Sequence, residues 1–227
     1  MALRFKPSLR LSSLVMGFGA GAIIGAVAYE LVPTAWDLVT AGSIVFFGLG
    51  ALVFFGASSW IVRWGAGRKA SPAGKLEGAV GADFATGSSI ALGALLDGLP
   101  ESLVLGMTLA TGGGIRLAFL GAVLISNIPQ SISATIALKA GGQSPRRIYS
   151  VWVFITVVSA VFAALGYLLV IYVPLSNGHL ARAFAAGSLL TMVANSMIPE
   201  AYKEQGALVG LMVVLGVAVA AILTLLR

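Results

Sequence analysis

The sequence predicts an all-α fold, a polytopic membrane helix bundle of about seven transmembrane helices in a single domain covering residues 1–227. Three observations carry this expectation. Of the 227 residues, 59% are hydrophobic and 10% charged, with a mean hydropathy of +1.01, which leaves too little polar surface to coat a soluble globule. The apolar residues fall into stretches near the ~20 residues that cross a bilayer's hydrocarbon core. Basic residues gather between those stretches, and no long polar block stands apart to form a soluble domain.

The chain opens with a short basic stretch holding Arg4, Lys6 and Arg10, followed by an apolar run from Leu11 to about Val32. That run is longer than the 7–15 apolar residues of a signal peptide, although Ala26-Val27-Ala28 resembles a cleavage site. An internal repeat favours a retained helix. Phe18 to Trp36 matches Phe184 to Tyr202 without gaps, sharing Phe, Ala, Gly, Val, Ala, Pro and Ala at equivalent places, and the second copy lies deep in the chain. Gly17, Gly21 and Gly25 recur every fourth residue, so a neighbouring helix can approach closely, within the chain or in a homodimer. The second span runs from about Thr40 to Val62 and ends in Trp60, Arg63 and Trp64, interfacial residue types. Gly65 to Asp83 reads as a mobile Gly/Ala/Pro/Lys linker. The third span covers about Phe84 to Leu109 and stops at Thr111-Gly112-Gly113-Gly114, because a glycine run continues a helix poorly. Ile115 to Leu138, Ile148 to Val173, Leu180 to Ala201 and Gly206 to Leu226 supply the remaining four.

The basic residues orient these spans. With the N-terminus in the cytoplasm, Arg4, Lys6, Arg10, Arg63, Arg68, Lys69, Lys75, Lys139, Arg146, Arg147 and Lys203 lie inside, and Arg116, Arg182 and Arg227 outside. Eleven against three is a strong positive-inside bias, and it places the C-terminus outside after an odd number of spans. The expected location is a plasma (inner) membrane.

Function concentrates in the third and fourth spans. Asp97 and Glu101 stand at i and i+4 on one helical face, and Pro100 between them removes a backbone donor and frees a carbonyl oxygen. The pattern returns 29 residues later in Ser126-Asn127-Ile128-Pro129-Gln130. Aligned on the prolines, Asp97 faces Ser126, Gly98 faces Asn127 and Glu101 faces Gln130. Two kinked central helices thus carry polar groups at equivalent heights. A charge near a bilayer centre costs at least ~2.5–3.5 kcal/mol on insertion scales, so such residues face a cavity, a partner or an ion. Paired carboxylates beside freed carbonyls suit a divalent cation; the bland alternative is a protonated, hydrogen-bonded pair locking helix packing. Ser126, Asn127 and Gln130 fit a shared site or ordinary interhelical hydrogen bonding.

Three further polar residues are secondary candidates. Glu30 lies near the outer end of its span, as a gate, an entry residue or a solvated end group. Asn195 and Glu200 share the sixth span, Glu200 at its cytoplasmic end. His179 reads as an ordinary loop residue. There is no cysteine, so disulfides and thiolate ligands are excluded. An enzyme is not expected: no Ser/His or Cys/His pair can meet, and no hydrolase histidine motif or phosphate loop followed by Lys is present. The net charge of +6 orients spans in the bilayer and signals no nucleic-acid partner.

At these residues the chain resembles the ZIP (Zrt/Irt-like) family of divalent metal transporters, whose members carry a motif of the form His-Asn-x-Pro-Glu-Gly in each of two central helices. DGLPES at 97–102 and SNIPQS at 126–131 occupy those places, and the repeats ending in LVPTAW and MIPEAY resemble the family's outer helices. The resemblance implies eight helices in a three-two-three arrangement, of which this chain would lack the first. It implies that Asp97 stands where the family has a metal-binding His, that Glu101 keeps the family's metal-binding Glu, and that Asn127 keeps its Asn. Ser126 and Gln130 replace a His and a Glu, Gly98 replaces an Asn, and the fifth span lacks the acidic residue some members use for a second metal. The implied site is a single reduced one built from Asp97, Glu101, Ser126, Asn127 and Gln130. The expected function is uptake of a divalent cation, zinc by the resemblance, into the cytoplasm, with no prosthetic group. The alternatives are a non-transporting scaffold or regulatory protein, and a proton-coupled carrier of another solute using Asp97 and Glu101 as a relay.

Overall fold

A computed structural model of the chain describes residues 9–33, 41–69, 79–110, 117–172 and 178–225. Among them every element is helical and none is a strand. In chain order these are α1 (Leu9–Ala26), continued by a π turn (Val27–Leu31); α2 (Ala41–Lys69); α3 (Ala79–Ala110); α4 (Leu117–Ala140); α5 (Pro145–Tyr172); α6 (His179–Met192), continued by a second π turn (Val193–Met197) into α7 (Ile198–Gln205); and α8 (Leu208–Leu225). Six of these rods are long and apolar enough to cross a membrane. The broken rod α6–α7, from His179 to Gln205, is the seventh. The chain is therefore an all-α bundle of membrane-spanning character.

Several boundaries extend beyond the sequence expectation. The segment expected as a linker is helical at both flanks, since α2 runs to Lys69 and α3 starts at Ala79; Ala, Leu, Arg and Lys are good helix formers, and the glycines there cost only about 1 kcal/mol each. Residues 70–78, the glycine run at 111–114 and the basic residues Arg4 and Lys6 lie outside the described residues. The two shortest connections need left-handed backbone, and glycine supplies it: Gly142 (φ 75°) turns α4 into α5, and Gly206 (φ 60°) turns α7 into α8.

The sequence repeat is a structural one. A shift of 166 residues carries Phe18 onto Phe184, and the same shift carries one π turn onto the other. In the first the Val32 N–H donates to the Val27 carbonyl; in the second Ile198 donates to Val193. Each break lies just before a proline, Pro33 and Pro199, whose ring and missing N–H disfavour a regular last turn. The crossings obey the same shift. A Cβ on Gly21 would collide with the Val213 carbonyl, and one on Gly187 with the Phe47 carbonyl; Gly216 abuts the Phe18 carbonyl as Gly50 abuts that of Phe184. Thus α1 packs on α8 and α6 on α2, a swap that pairs each half of the repeat with the other. Seven alternating spans would run the two broken rods, the first and the sixth, in opposite directions, as an inverted repeat does.

One expectation is corrected here. The repeated rods were expected as outer helices, yet 67% of the α1 span is buried, against 33% for α3, 39% for α4, 17% for α2 and α8, and 6% for α5. The inner helices are α1, α3, α4 and α6–α7, whose Met16, Ile23, Met107, Phe119, Leu189 and Met197 share one core; α2, α5 and α8 present Leu, Val and Phe outward. The reason is that α1 carries small residues on two faces. Gly21 admits α8, and Gly19 admits α4 so closely that a methyl group on Gly19 would lie only 2.7 Å from the Ser126 Cα. The Gly17/Gly21/Gly25 stripe is accordingly filled by Val209, Val213 and Ala220 of the same chain, leaving any homodimer to other surfaces. Pro100 and Pro129 both lie inside continuous α-helices, and the π turns lie in the flanking rods.

Candidate functional site

The helices α3 and α4 pack along each other and bring all five expected residues together at mid-bundle. On α3, Asp97 and Glu101 share the face turned to α4, as i and i+4 spacing requires. On α4, Ser126, Asn127 and Gln130 meet them. The Asn127 Nδ2 donates to Glu101 Oε2 at 2.5 Å, Ser126 Oγ donates to Glu101 Oε1 at 3.4 Å, and Gln130 Nε2 donates to Asp97 Oδ2 at 3.2 Å. Ser126 and Asn127 each also donate to the Val123 carbonyl at 2.9 Å. Asp97, Glu101, Ser126 and Gln130 are buried, and Asn127 half-buried. The alignment on the prolines therefore holds as geometry: each carboxylate has a neutral donor on the facing helix.

One atom is left over. Asp97 Oδ1 is buried and accepts no hydrogen bond from the described residues. Buried carboxylate oxygens are rarely left so, and an ion or a water is the usual reason. Ser196, in the second π turn, stands beside this carboxylate. Sequence reasoning singled out Asn195 instead, but Ser196 stands four residues after Met192 and seven after Leu189, both buried, so helical periodicity turns Ser196 inward and leaves Asn195 exposed. Asn195 is thus not part of the cluster. The signal that could have found Ser196 is the repeat, which aligns it with Glu30. Glu200 on α7 is exposed, near Lys203 and Glu204, and no hydrogen bond joins it to the cluster among the described residues.

No family model and no curated protein matches this chain. The chemistry must be read from the donor set itself. Among the described residues no three of His, Cys, Asp and Glu gather around one point, so a cation here would draw charge from two carboxylates and complete its shell with neutral oxygens. Such oxygens are present. Turning the Asn127 and Gln130 amides over would offer their carbonyl oxygens in place of N–H, and which atom points inward follows the hydrogen-bond network. Pro100 and Pro129 leave the carbonyls of Leu96 and Ile125 without their usual helical donors.

Access is visible on one flank. A cavity of about 290 Å³ between α3, α4 and α5 reaches Glu101, Asn127 and Gln130, and its walls carry Ser102, Ser131 and Ser159. Gly98 lies on this wall, where a methyl would meet the Ser159 hydroxyl at 3.6 Å, an ordinary contact. Trp152 forms part of the wall and donates to Thr135 Oγ1 at 2.9 Å. Glu30 is not the solvated end group considered above. It is buried within the first π turn, which packs against α6 and α8 rather than against the Asp97 cluster.

Proposed function

We propose that this chain is a ZIP-like membrane transporter that carries a divalent cation, zinc by its resemblance to that family, through the cluster between α3 and α4. The observation that carries the reading is the convergence of Asp97 and Glu101 with three neutral oxygen-bearing side chains in an apolar core, with one carboxylate oxygen unpartnered. Two buried carboxylates offset the charge of one divalent ion, and the ion offsets the penalty of burying them. The set favours harder ions than a His-rich site would, although zinc accepts carboxylates. Transport requires the cluster to open alternately to either side. The inverted repeat supplies a symmetric frame for this, with α3 and α4 lying between α1–α8 on one side and α6–α2 on the other. In the plasma (inner) membrane, with the N-terminus in the cytoplasm, the cation would enter from outside.

The test is cation uptake into vesicles holding the purified protein. Asp97→Asn and Glu101→Gln should each reduce zinc uptake at least tenfold while leaving the protein inserted and folded, since removing a buried charge eases insertion. A wild type that moves no divalent cation, with variants indistinguishable from it, would overturn the reading. A non-transporting scaffold is the second reading. It is favoured by the hydrogen bonds already made by Asn127, Ser126 and Gln130, which hold both carboxylates without an ion.

A further inference from the structure

The cavity that reaches Glu101 has a serine on each of its three helices: Ser102 of α3, Ser131 of α4 and Ser159 of α5, all half-buried. Its existence follows from where α5 packs. A Cβ on Gly106 would collide with the Ala163 carbonyl, and one on Gly166 with the Leu103 carbonyl. These glycines draw α5 onto α3, while α4 and α5 touch little. The cleft left beside α4 is the cavity of about 290 Å³. The Ser159 hydroxyl stands against Gly98, on the turn of α3 that runs from Asp97 to Glu101.

Water suits this lining and hydrocarbon does not. A serine hydroxyl offers one donor and two lone pairs. The Ser131 hydroxyl donates to the Ile128 carbonyl at 2.8 Å and keeps its lone pairs as acceptors. A buried water makes about three hydrogen bonds, and the three serines with Asn127 and Gln130 supply that many partners around a space wide enough for several waters. The cluster behind them is short of ligands. It has two carboxylates and no third His, Cys, Asp or Glu among the described residues. Asp97, only 6% exposed, has its Oδ1 without a hydrogen bond from any of them.

We propose that the cation held by Asp97 and Glu101 keeps part of its water shell in this cavity, with those waters hydrogen-bonded to Ser102, Ser131 and Ser159. The site then accepts a hard, six-coordinate cation of the manganese kind as well as zinc. This rests on the cation reading above and adds the class of cargo. A closed zinc site takes four protein ligands and no water, whereas hard cations ask for octahedral oxygen and lose water reluctantly. Two carboxylates beside a hydroxyl-lined cavity meet the second demand better than the first. Divalent ions ordinarily bind manganese last, and a shell completed by water narrows that gap. Ser159 is a positioning residue here, since it acts on the ion through water, and through it α5 bears on the cluster of α3 and α4.

The test titrates the purified full chain in phosphatidylcholine vesicles with manganese, read by loss of the free ion's electron paramagnetic resonance signal, and with zinc by competition. Manganese should bind within about tenfold of zinc, and pulsed resonance of the bound ion in D2O should show exchangeable water deuterons in its first shell. Asp97→Asn should abolish both ions, which places the counted manganese at the cluster. Ser131→Ala with Ser159→Ala should weaken manganese about fivefold, the effect of a lost hydrogen bond, and zinc by less than about twofold. Ser159→Thr, which keeps the hydroxyl, should bind manganese like the wild type. A chain that binds neither ion overturns the cation site and this proposal with it. Zinc binding accompanied by manganese without exchangeable water, by manganese unmoved by Asp97→Asn, or by equal weakening of both ions in the serine variant overturns the hydrated cargo alone.

Discussion

Replacing Gln130 by Glu puts a third carboxylate where an amide now stands 3.2 Å from Asp97 Oδ2. Two unit charges at that separation repel by about 5 kcal/mol at an effective dielectric constant near 20. Since a whole domain is stable by only roughly 5–15 kcal/mol, Gln130→Glu cannot keep both groups ionised without compensation. It must take up either a proton or a cation. In the presence of a chelator the variant should therefore melt below the wild type, and the gap should widen as pH rises and the proton is removed. Zinc should close it. A ligand at 100 times its dissociation constant stabilises by about 2.7 kcal/mol, and because zinc and protons compete for the same oxygens, the zinc-induced gain should shrink as pH falls. Thermal denaturation of the solubilised protein, followed by tryptophan fluorescence with and without zinc across neutral pH, measures all three effects. If Gln130→Glu melts like the wild type at every pH and zinc moves both equally, positions 97 and 130 do not share a cation site.

Two further predictions rest on the packing. Gly50→Ala should destabilise the bundle by about 1–3 kcal/mol, the usual range for overpacking, because its methyl would collide with the Phe184 carbonyl; Gly48→Ala, which meets nothing within 4 Å, should be neutral or mildly stabilising. Gly216→Ala should match Gly50→Ala, and unequal melting of that pair would deny the equivalence of the two crossings. Reporter tags fused after Lys69, Gln143 and Lys203 should read cytoplasmic, and tags after Asn177 or at the C-terminus external; any reversal defeats the seven-span order.

What the sequence determined by itself was whatever depends on composition and short-range periodicity. An apolar chain with clustered basic residues has to be a helical membrane bundle, because only helices satisfy the backbone within one segment of a single apolar span. The pairing of Asp97 and Glu101 with Ser126, Asn127 and Gln130 was legible for a similar reason: two adjacent antiparallel helices carrying the same proline-centred pattern tend to meet at that pattern. The repeat at 18–36 and 184–202 was legible too. The tertiary structure alone decided which helices are inner, because burial of α1 depends on Gly19 and Gly21 meeting two different partners, α4 and α8, far along the chain. It also decided that Ser196 meets Asp97: periodicity from Leu189 and Met192 turns Ser196 inward, but only the packing of the helices shows which side chain it stands beside. Glu30 is placed inward in the same way, four residues after Ala26 and seven after Ile23, both buried.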